Sequence, residues 1–272
     1  MSLSRLALRL AACEALAPFA SSASGPWPTL AGREVYDSRI DPIAAASDWE
    51  QFLARIDGKP IVILYTEDHE TVPFEGAQYP AEIEMVDLFV EVMIAAGGLV
   101  EVVNPDGSQA TVGQLGAAVT DRQREALLDL LEGQIRYVLS TVALAPSAAL
   151  FRQIARECHH VHSVPQREVD KTQRVAARTM IFKLRVPQDQ WPAFPASPAA
   201  TGLGLLPQPL QQVATALDPT SSGGVLCATL ATLIGPPAAP TALGDIRLSS
   251  NLDRVVTPTL ADDDVTGDVA FS

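Results

Sequence analysis

Two clusters of side chains could do chemistry, and the first is built from histidines. Three of the chain's four histidines, His159, His160 and His162, directly follow Cys158. On a β-strand, His160 and His162 would face the same side, where two imidazoles can bind a transition metal. No carboxylate stands at a second convincing ligand spacing, and neighbours in sequence rarely build a metal site alone. We therefore interpret the cluster as structural or as part of the surface, rather than as a metal site or thiol nucleophile.

The second cluster is acidic and consists of Glu67, Asp68, His69 and Glu70. It follows an apolar run, and catalytic groups favour strand ends in α/β enzymes, while carboxylates can hold Mg²⁺. A polar turn at the end of a strand is the commoner meaning of such a run. The sequence also contains no Gly-rich phosphate loop, no Gly-x-Ser-x-Gly elbow, no His-Glu-x-x-His and no Cys-x-x-Cys. We expect no catalytic residue, no metal and no cofactor.

The elements that would position these clusters include strands of two kinds. Ile61–Thr66 is an unbroken β-branched and aromatic run, which is typical of a strand buried on both faces. Glu82–Ala95 predicts a long strand with an apolar face of even-numbered residues, and Asp87 and Glu91 on the other face. A hairpin-like segment follows through Leu99–Val103, with a turn at residues 104–107.

A third strand and several helices complete the prediction. Val175–Val186 alternates, with Lys183 and Arg185 outward. Thr120 and Gln123 have capping-box spacing ahead of the clearest helix, in which leucines recur from Leu127 onward. Helical periodicity predicts helices over residues 3–17, Asp48–Ile56, Asp121–Ser140, Pro146–Glu157 and Leu210–Leu217.

The length of 272 residues favours a core domain with an extension. We expect an α+β core over residues 1–190, with a mixed, mainly antiparallel sheet flanked by two or three helices. Residues 191–272 are expected to form a Pro-rich linker and a long irregular C-terminal arm, with a strand near Asp245–Leu248. Gly, Pro, Thr and Asp are frequent after residue 219, so the arm should add little to the core.

The composition argues against several partners. Lys and Arg number 19 against 32 Asp and Glu, a net charge of −13, which disfavours binding to a phosphate backbone or an anionic membrane surface. No segment has the roughly 18 uninterrupted apolar residues of a membrane span. The first residues, up to Ala23, resemble a signal peptide, but Arg9 and Glu14 interrupt its apolar core and favour an amphipathic helix. Three distant cysteines do not indicate a disulfide framework.

Charge is divided unevenly along the chain. Residues 60–121 contain 11 acidic and no basic side chains, whereas residues 122–190 contain 11 basic and 7 acidic ones. The acidic stretch is a solvated face, a surface that must repel another polyanion, or a surface that meets the basic stretch of a neighbouring copy. The candidate interface residues are Lys183, Arg185, Arg178, Glu82, Glu84, Asp87 and Glu91.

Five segments carry a resemblance to a known family. They are the Leu/Ala/Arg-rich first helix followed by Gly-Arg-Glu-Val-Tyr-Asp-Ser at 32–38, Lys-Pro-Ile-Val-Ile-Leu-Tyr-Thr-Glu at 59–67, Ile83–Ala95, Asp121–Leu139, and Ala-Arg-Thr-Met-Ile-Phe-Lys-Leu-Arg-Val at 177–186. In this order the chain resembles the tail-terminator or neck proteins of long-tailed bacteriophages and prophage-like particles. The resemblance covers roughly residues 3–190, and members are commonly shorter.

The resemblance implies a structural virion protein without catalytic activity. Such a protein forms a ring, typically a hexamer, that caps the tail tube and joins it to the head. Its partners would be copies of itself, the tail tube protein and the head–tail connector proteins, and genomic DNA would pass through without specific binding. It would be made in the host bacterial cytoplasm and reside in the virion tail or neck.

Two other classes of function remain open from the residues. One is a small metal-assisted hydrolase that uses Glu67, Asp68, His69 and the histidines at 159–162. Stoichiometric metal in the purified protein would indicate this class. The other is a non-catalytic adaptor or assembly chaperone that contacts its ligand through the C-terminal arm.

Overall fold

The strands are the framework of the fold. The computed structural model describes residues 2–22, 25–38, 58–73, 82–103, 109–140, 146–167, 174–192 and 201–234. All of these lie in the compact unit Met1–Gly235, and the second unit, Pro236–Ser272, lies outside them. The strands are β1 (Val35–Asp37), β2 (Pro60–Pro73), β3 (Glu82–Val103), β4 (Gln109–Ala117), β5 (Glu157–Arg167) and β6 (Arg174–Val186).

The strands form one mixed sheet in the order β1-β2-β3-β6-β5, with β4 paired to β3. β1 and β2 are parallel, and every other pair is antiparallel. The described helices are α1 (Ser4–Leu16), α2 (Arg122–Val138), α3 (Ala149–Ile154), α4 (Leu210–Ala216) and α5 (Ser222–Ile234), with 3₁₀ turns at Phe19–Ser21, Pro146–Ala148 and Gly202–Leu205. The α+β class with a mixed, mainly antiparallel sheet is thereby confirmed.

One face of the sheet, here called the first face, carries the main core. Its residues come from even-numbered positions, because side chains alternate along a strand and opposed residues share a face. Helices α1 to α5 all contribute buried residues to the same cluster. The buried strand residues on this face are Val62, Leu64, Val86, Leu88, Val90, Val92, Ile94, Ala176, Met180, Phe182, Leu184 and Val186.

The opposite side of the same strands, here called the second face, has a smaller core. Ile61, Ile63 and Ala95 are buried there, with Tyr65 and Met93 packed against them. No residue of a described helix belongs to this cluster. Burial of Ile61, Val62, Ile63 and Leu64 confirms that the predicted run is buried on both faces over these four residues, whereas Tyr65 and Thr66 are only partly buried.

Helix α2 differs from its prediction in two details. Its N-cap is Asp121, whose side chain accepts a hydrogen bond from the backbone N–H of Arg124 at 2.8 Å, and not Thr120. The hydroxyl of Thr120 instead donates to Glu125. The leucines that recur along this helix do not all face the core, because Leu130 is 52% exposed whereas Leu128 is buried.

Part of the expected C-terminal arm belongs to the compact unit. Helices α4 and α5 belong to the compact unit that extends to Gly235, so the boundary expected at residue 190 does not separate them from the core. Helix α4 confirms the helix predicted over 210–217, whereas α5 lies in the part predicted to be an irregular arm. The buried side chains of this part include Leu206, Leu210, Val213, Cys227 and Ala231.

Three sequence predictions fall outside the described residues: the helix Asp48–Ile56, the turn at 104–107 and the strand near Asp245–Leu248. The hairpin joined by that turn is confirmed, because β3 and β4 pair antiparallel up to Val103 and Gln109. Among the described helices, none combines the length and the apolar character that crossing a membrane requires.

Candidate functional site

The acidic and basic stretches of the sequence meet within a single chain, on the second face. Strand β3 pairs with β6 so that Asp87 lies opposite Lys183. The ammonium of Lys183 contacts a carboxylate oxygen of Glu70, in the acidic stretch, at 3.2 Å. Beside it, Arg185 contacts Glu157, a carboxylate of its own stretch, at 3.1 Å. The four side chains of these two pairs are all more than a third exposed, so the pairs sit at a surface open to solvent.

Two stacked aromatic side chains lie on the same face beside these charges. Tyr65 lies opposite Phe89, and their rings stack with centroids 5.1 Å apart. The phenol of Tyr65 donates a hydrogen bond of 2.9 Å to Glu91. Partial burial, and then this bond to a carboxylate, raise the pKa of Tyr65 above its ordinary range. The phenol therefore stays protonated and remains a donor at neutral pH.

Hydrogen bonds continue this surface to the edge strand β5. The amide of Gln166 donates to the hydroxyl of Thr179 at 2.6 Å and approaches Glu91 at 3.5 Å. Side chains on β2, β3, β6 and β5 are thus held together laterally. Side chains held in this way lose less conformational entropy when a surface is buried.

The histidines lie at the edge of this surface. His160 pairs with Lys183 and His162 with Ile181, so both face the same side, as predicted. Their rings stack with centroids 6.1 Å apart. His159 lies in a bulge, with its Nε2 3.5 Å from Glu157. Within the described ranges, no group of three or more His, Cys, Asp or Glu could hold a metal ion.

The acidic cluster at 67–70 does not end a strand, so the predicted turn is wrong. Strand β2 runs on to Pro73, with an irregularity between Thr66 and His69 that acts as a bulge. The guanidinium of Arg5 donates to the backbone carbonyls of Thr66 and Glu67 at 2.5 and 2.8 Å. A bulge supported by an arginine lets the strand continue where its register changes.

The two clusters proposed for a hydrolase stand on different strands. Asp68 and His69 belong to β2 and the 159–162 histidines to β5, and both β3 and β6 lie between them. Three strand spacings amount to about 14 Å. The side chains of Asp68 and His69 are outside the described part of the chain. The backbone therefore does not bring the two clusters together at one site.

Cys158 lies on the first face, away from the histidines. It is opposite Leu184 and packs against the main core. Burial raises the pKa of the Cys158 thiol, although a backbone contact with His160 and the charge of Arg136 act in the other direction. Reactive thiols have lowered pKa values, so this environment is that of a packed cysteine.

Arg178 was predicted to be an interface residue, but it does not lie at an open surface. It lies on the first face, 12% exposed, under helix α2. Its guanidinium contacts Glu125, Asp129 and Glu132 at 2.5, 2.6 and 2.9 Å. Burial alone would lower the pKa of Arg178, but the bonds to these carboxylates raise it. Arg178 joins α2 to the sheet.

One further interface candidate, Glu84, is likewise not at an open surface. Glu84 is buried on the first face and accepts a hydrogen bond from Ser2 at 2.9 Å. The side chain of Glu82 is outside the described part of the chain. Of the seven candidates, Asp87, Glu91, Lys183 and Arg185 are brought together on the second face, whereas Arg178 and Glu84 are not.

Two contacts near strand β1, at one edge of the sheet, were not predicted from the sequence. Arg9 forms an ion pair with Asp37 at 2.7 Å, which ties α1 to β1. The Asp37 carboxylate also accepts from Ser38, whose backbone N–H bonds to Leu64. The segment Val-Tyr-Asp-Ser at 35–38 therefore joins helix α1 and strand β2 at the edge of the sheet.

Comparison with known proteins identifies no family for this arrangement. No protein-family model matches the chain, and no curated protein matches it.

Proposed function

We propose that this protein is a non-enzymatic structural subunit that assembles with copies of itself into a ring. The observation that carries the proposal is the second face. Its charged and aromatic residues form a hydrogen-bonded surface, and no described helix contributes to its core. Interfaces are enriched in aromatic side chains and use complementary charges to select partners. A surface with Tyr65, Phe89, Asp87 and Lys183 fits that description.

The resemblance of the sequence assigns such a ring to the tail terminator or neck of a phage or prophage-like particle. In that setting the ring would cap the tail tube, contact the head–tail connector and let DNA pass. The order of the first described elements supports this assignment, because helix, short strand, long strands and helix follow one another as in that family's pattern; α3 and β5 then stand before β6, the last strand described. The net charge of −13 also suits a passage that must not retain DNA.

Electron microscopy of the purified full-length protein tests the proposal, together with sedimentation velocity over a range of concentrations. We expect rings of one fixed subunit number with an open centre. A protein that stays monomeric at every concentration would contradict self-assembly. Irregular aggregates without an open centre would also contradict it.

A further inference from the structure

A cleft of about 520 Å³ lies between the end of helix α1, strand β1 and the beginning of helix α5. All of the residues that line it belong to the compact unit Met1–Gly235. Pockets that bind small molecules usually have volumes of about 300–1,000 Å³. The cleft is therefore large enough for a small organic ligand, and the side chains that line it indicate its chemistry.

Aromatic and apolar side chains form much of the wall of this cleft. Those that line it include Leu10, Phe19, Trp27, Tyr36, Leu217 and Leu226. The ring of Phe19 is 36% exposed, so part of it is open to a ligand. The faces of aromatic rings attract cations as well as apolar groups. The wall therefore suits a ligand with an apolar body and a positive charge.

The loop that contains Trp27 passes close to its own indole ring. Gly25 and Gly32 have φ angles of 71° and 59°, and a Cβ atom added at them would lie 3.4 and 3.7 Å from Cδ1 of the indole. The hydroxyl of Ser21 donates to the backbone carbonyl of Pro26 at 2.9 Å, within the same loop. A side chain enclosed in this way loses little conformational entropy when a ligand packs against it.

The carboxylate of Glu14 also lines the cleft, and among the described residues it contacts no cation. Its hydrogen-bond donor is the backbone N–H of Phe19, at 3.1 Å. Burial raises the pKa of Glu14; the bond from Phe19 acts in the other direction, and the charge of Asp218 adds to the rise. A partly buried carboxylate beside another negative charge is stabilised when a cation binds next to it.

The two other charged side chains that line the cleft already have partners of opposite charge. Asp37 pairs with Arg9 at 2.7 Å, and Arg33, which is 58% exposed, pairs with Glu34 at 3.2 Å. Each of these pairs is neutral as a whole. The negative charge of Glu14 is therefore left uncompensated within the described lining of the cleft, which favours a positively charged ligand over a negatively charged one.

We propose that this cleft binds a small organic cation, namely a primary ammonium ion with an apolar or aromatic body. The ammonium group would lie beside the carboxylate of Glu14, and the body would pack against Phe19 and Trp27. Aromatic faces and an opposite charge are the two features that attract ammonium ligands. The inference is independent of the proposed ring, because these three residues lie on α1 and the loop after it, outside the strands of the second face.

Calorimetric titration of the full-length protein with two matched probes tests the proposal. Benzylamine is protonated at neutral pH, whereas benzyl alcohol has nearly the same shape without the charge. We expect saturable binding of benzylammonium at pH 7, at least about 10-fold tighter than that of benzyl alcohol. Absence of saturable binding, or equal affinity for the two probes, would overturn the proposal.

The variant Glu14→Gln identifies the carboxylate that selects the cation. Glutamine keeps the size of the side chain, and its amide oxygen can still accept the bond from Phe19. The affinity for benzylammonium should fall about 10-fold, with an unchanged melting temperature. The matched control is Glu157→Gln, which removes the same charge from an exposed site on β5 and should leave the affinity as it is. Equal losses in the two variants would mean that net charge, and not the cleft, attracts the probe.

The variant Phe19→Leu tests the aromatic wall without a change of charge. An exposed contact between a cation and a ring contributes modestly, so the affinity for benzylammonium should fall about 2- to 5-fold. The partial exposure of Phe19 means that the fold should tolerate the change. An affinity equal to that of the wild-type protein would show that the ligand does not lie against this ring, contrary to the proposal.

Discussion

The two faces of one sheet have opposite chemistry, although they are built from alternate residues of the same strands. The first face is mainly apolar, is covered by helices and holds the buried Glu84 and the largely buried Arg178. The second face combines stacked rings, ion pairs and amide contacts, many of them partly exposed. The difference teaches that the first face determines the fold, whereas changes to the second face should leave it largely intact.

The largest effect should come from a cavity in the first face. Phe182 is fully buried in the main core, so Phe182→Ala should lower the free energy of unfolding by about 3–5 kcal/mol. Phe89→Ala on the second face is the matched control and should cost clearly less, because Phe89 is half-buried. Urea denaturation of both variants measures this. Equal losses would show that the second face contributes as much to the fold as the first.

The next largest effect should follow from removing Arg178. Arg178→Met leaves Glu132, which is 14% exposed, without its main cationic partner. Breaking a largely buried pair in this way should cost about 3 kcal/mol. Arg124→Met, which removes an exposed pair with Asp121, should cost less than about 1 kcal/mol. Denaturation curves that show the same loss for both variants would contradict a special role for Arg178.

The same variant should change the response to acid. Burial raises the pKa of Glu132, but hydrogen bonds from Arg178, Ser163 and Arg136 outweigh it, so the pKa is lowered overall. Such a carboxylate stabilises the fold above its unfolded pKa, about 4.3, and this contribution is lost as the pH falls through the lower folded value. Stability of the wild-type protein should therefore fall more steeply below about pH 4.5 than that of Arg178→Met.

A moderate effect should come from removing α5, which covers part of the main core. Ending the chain after Leu217 exposes the surroundings of Cys227 and Ala231 and should cost about 2 kcal/mol. A chain that ends after Gly235 keeps α5 and is the control. Thermal and urea unfolding should rank the two chains in that order. No difference between them would mean that α5 is dispensable for the first face.

The smallest effect on stability should come from reversing charges on the second face. Lys183→Glu with Arg185→Glu breaks two exposed pairs, each worth about 0–1 kcal/mol. Self-assembly should instead become slower and less sensitive to salt, because exposed charges mainly steer association. Light scattering at low and high salt measures the rate. An unchanged assembly rate at low salt would remove these charges from the interface.

Much of the sheet could be predicted because its pattern is local. Even-numbered residues of β3 and β6 face the core, and the run at Ile61–Leu64 is buried on both sides, as alternation and composition indicated. The continuation of β2 past Thr66 could not be predicted from the sequence. It depends on Arg5, 61 residues away, which bonds to the backbone at the bulge. A polar run looks like a turn unless that distant partner is known.

The role of Arg178 could have been predicted from the sequence, but the uneven charge distribution led us to predict an interface residue instead. Its even number places it on the core face of β6, and Glu125, Asp129 and Glu132 follow one side of α2 at spacings of four and three. An inward arginine and an acidic helical stripe are complementary. Helix α5 gave no such signal. Its 13 residues carry no charge, so a polar face cannot be distinguished from an apolar one.

The absence of basic residues across β2, β3 and β4 also determines how the protein can be cut. Trypsin cleaves after lysine or arginine but poorly before proline, and Lys59 is followed by Pro60. The next basic residue is Arg122, so a complete digest leaves residues 56–122 as one peptide. That peptide contains both strands of the hairpin and the strand beside it. A protease that cleaves after basic residues therefore cannot cut the β3–β4 hairpin, whereas a protease that cleaves after glutamate can cut it at Glu101.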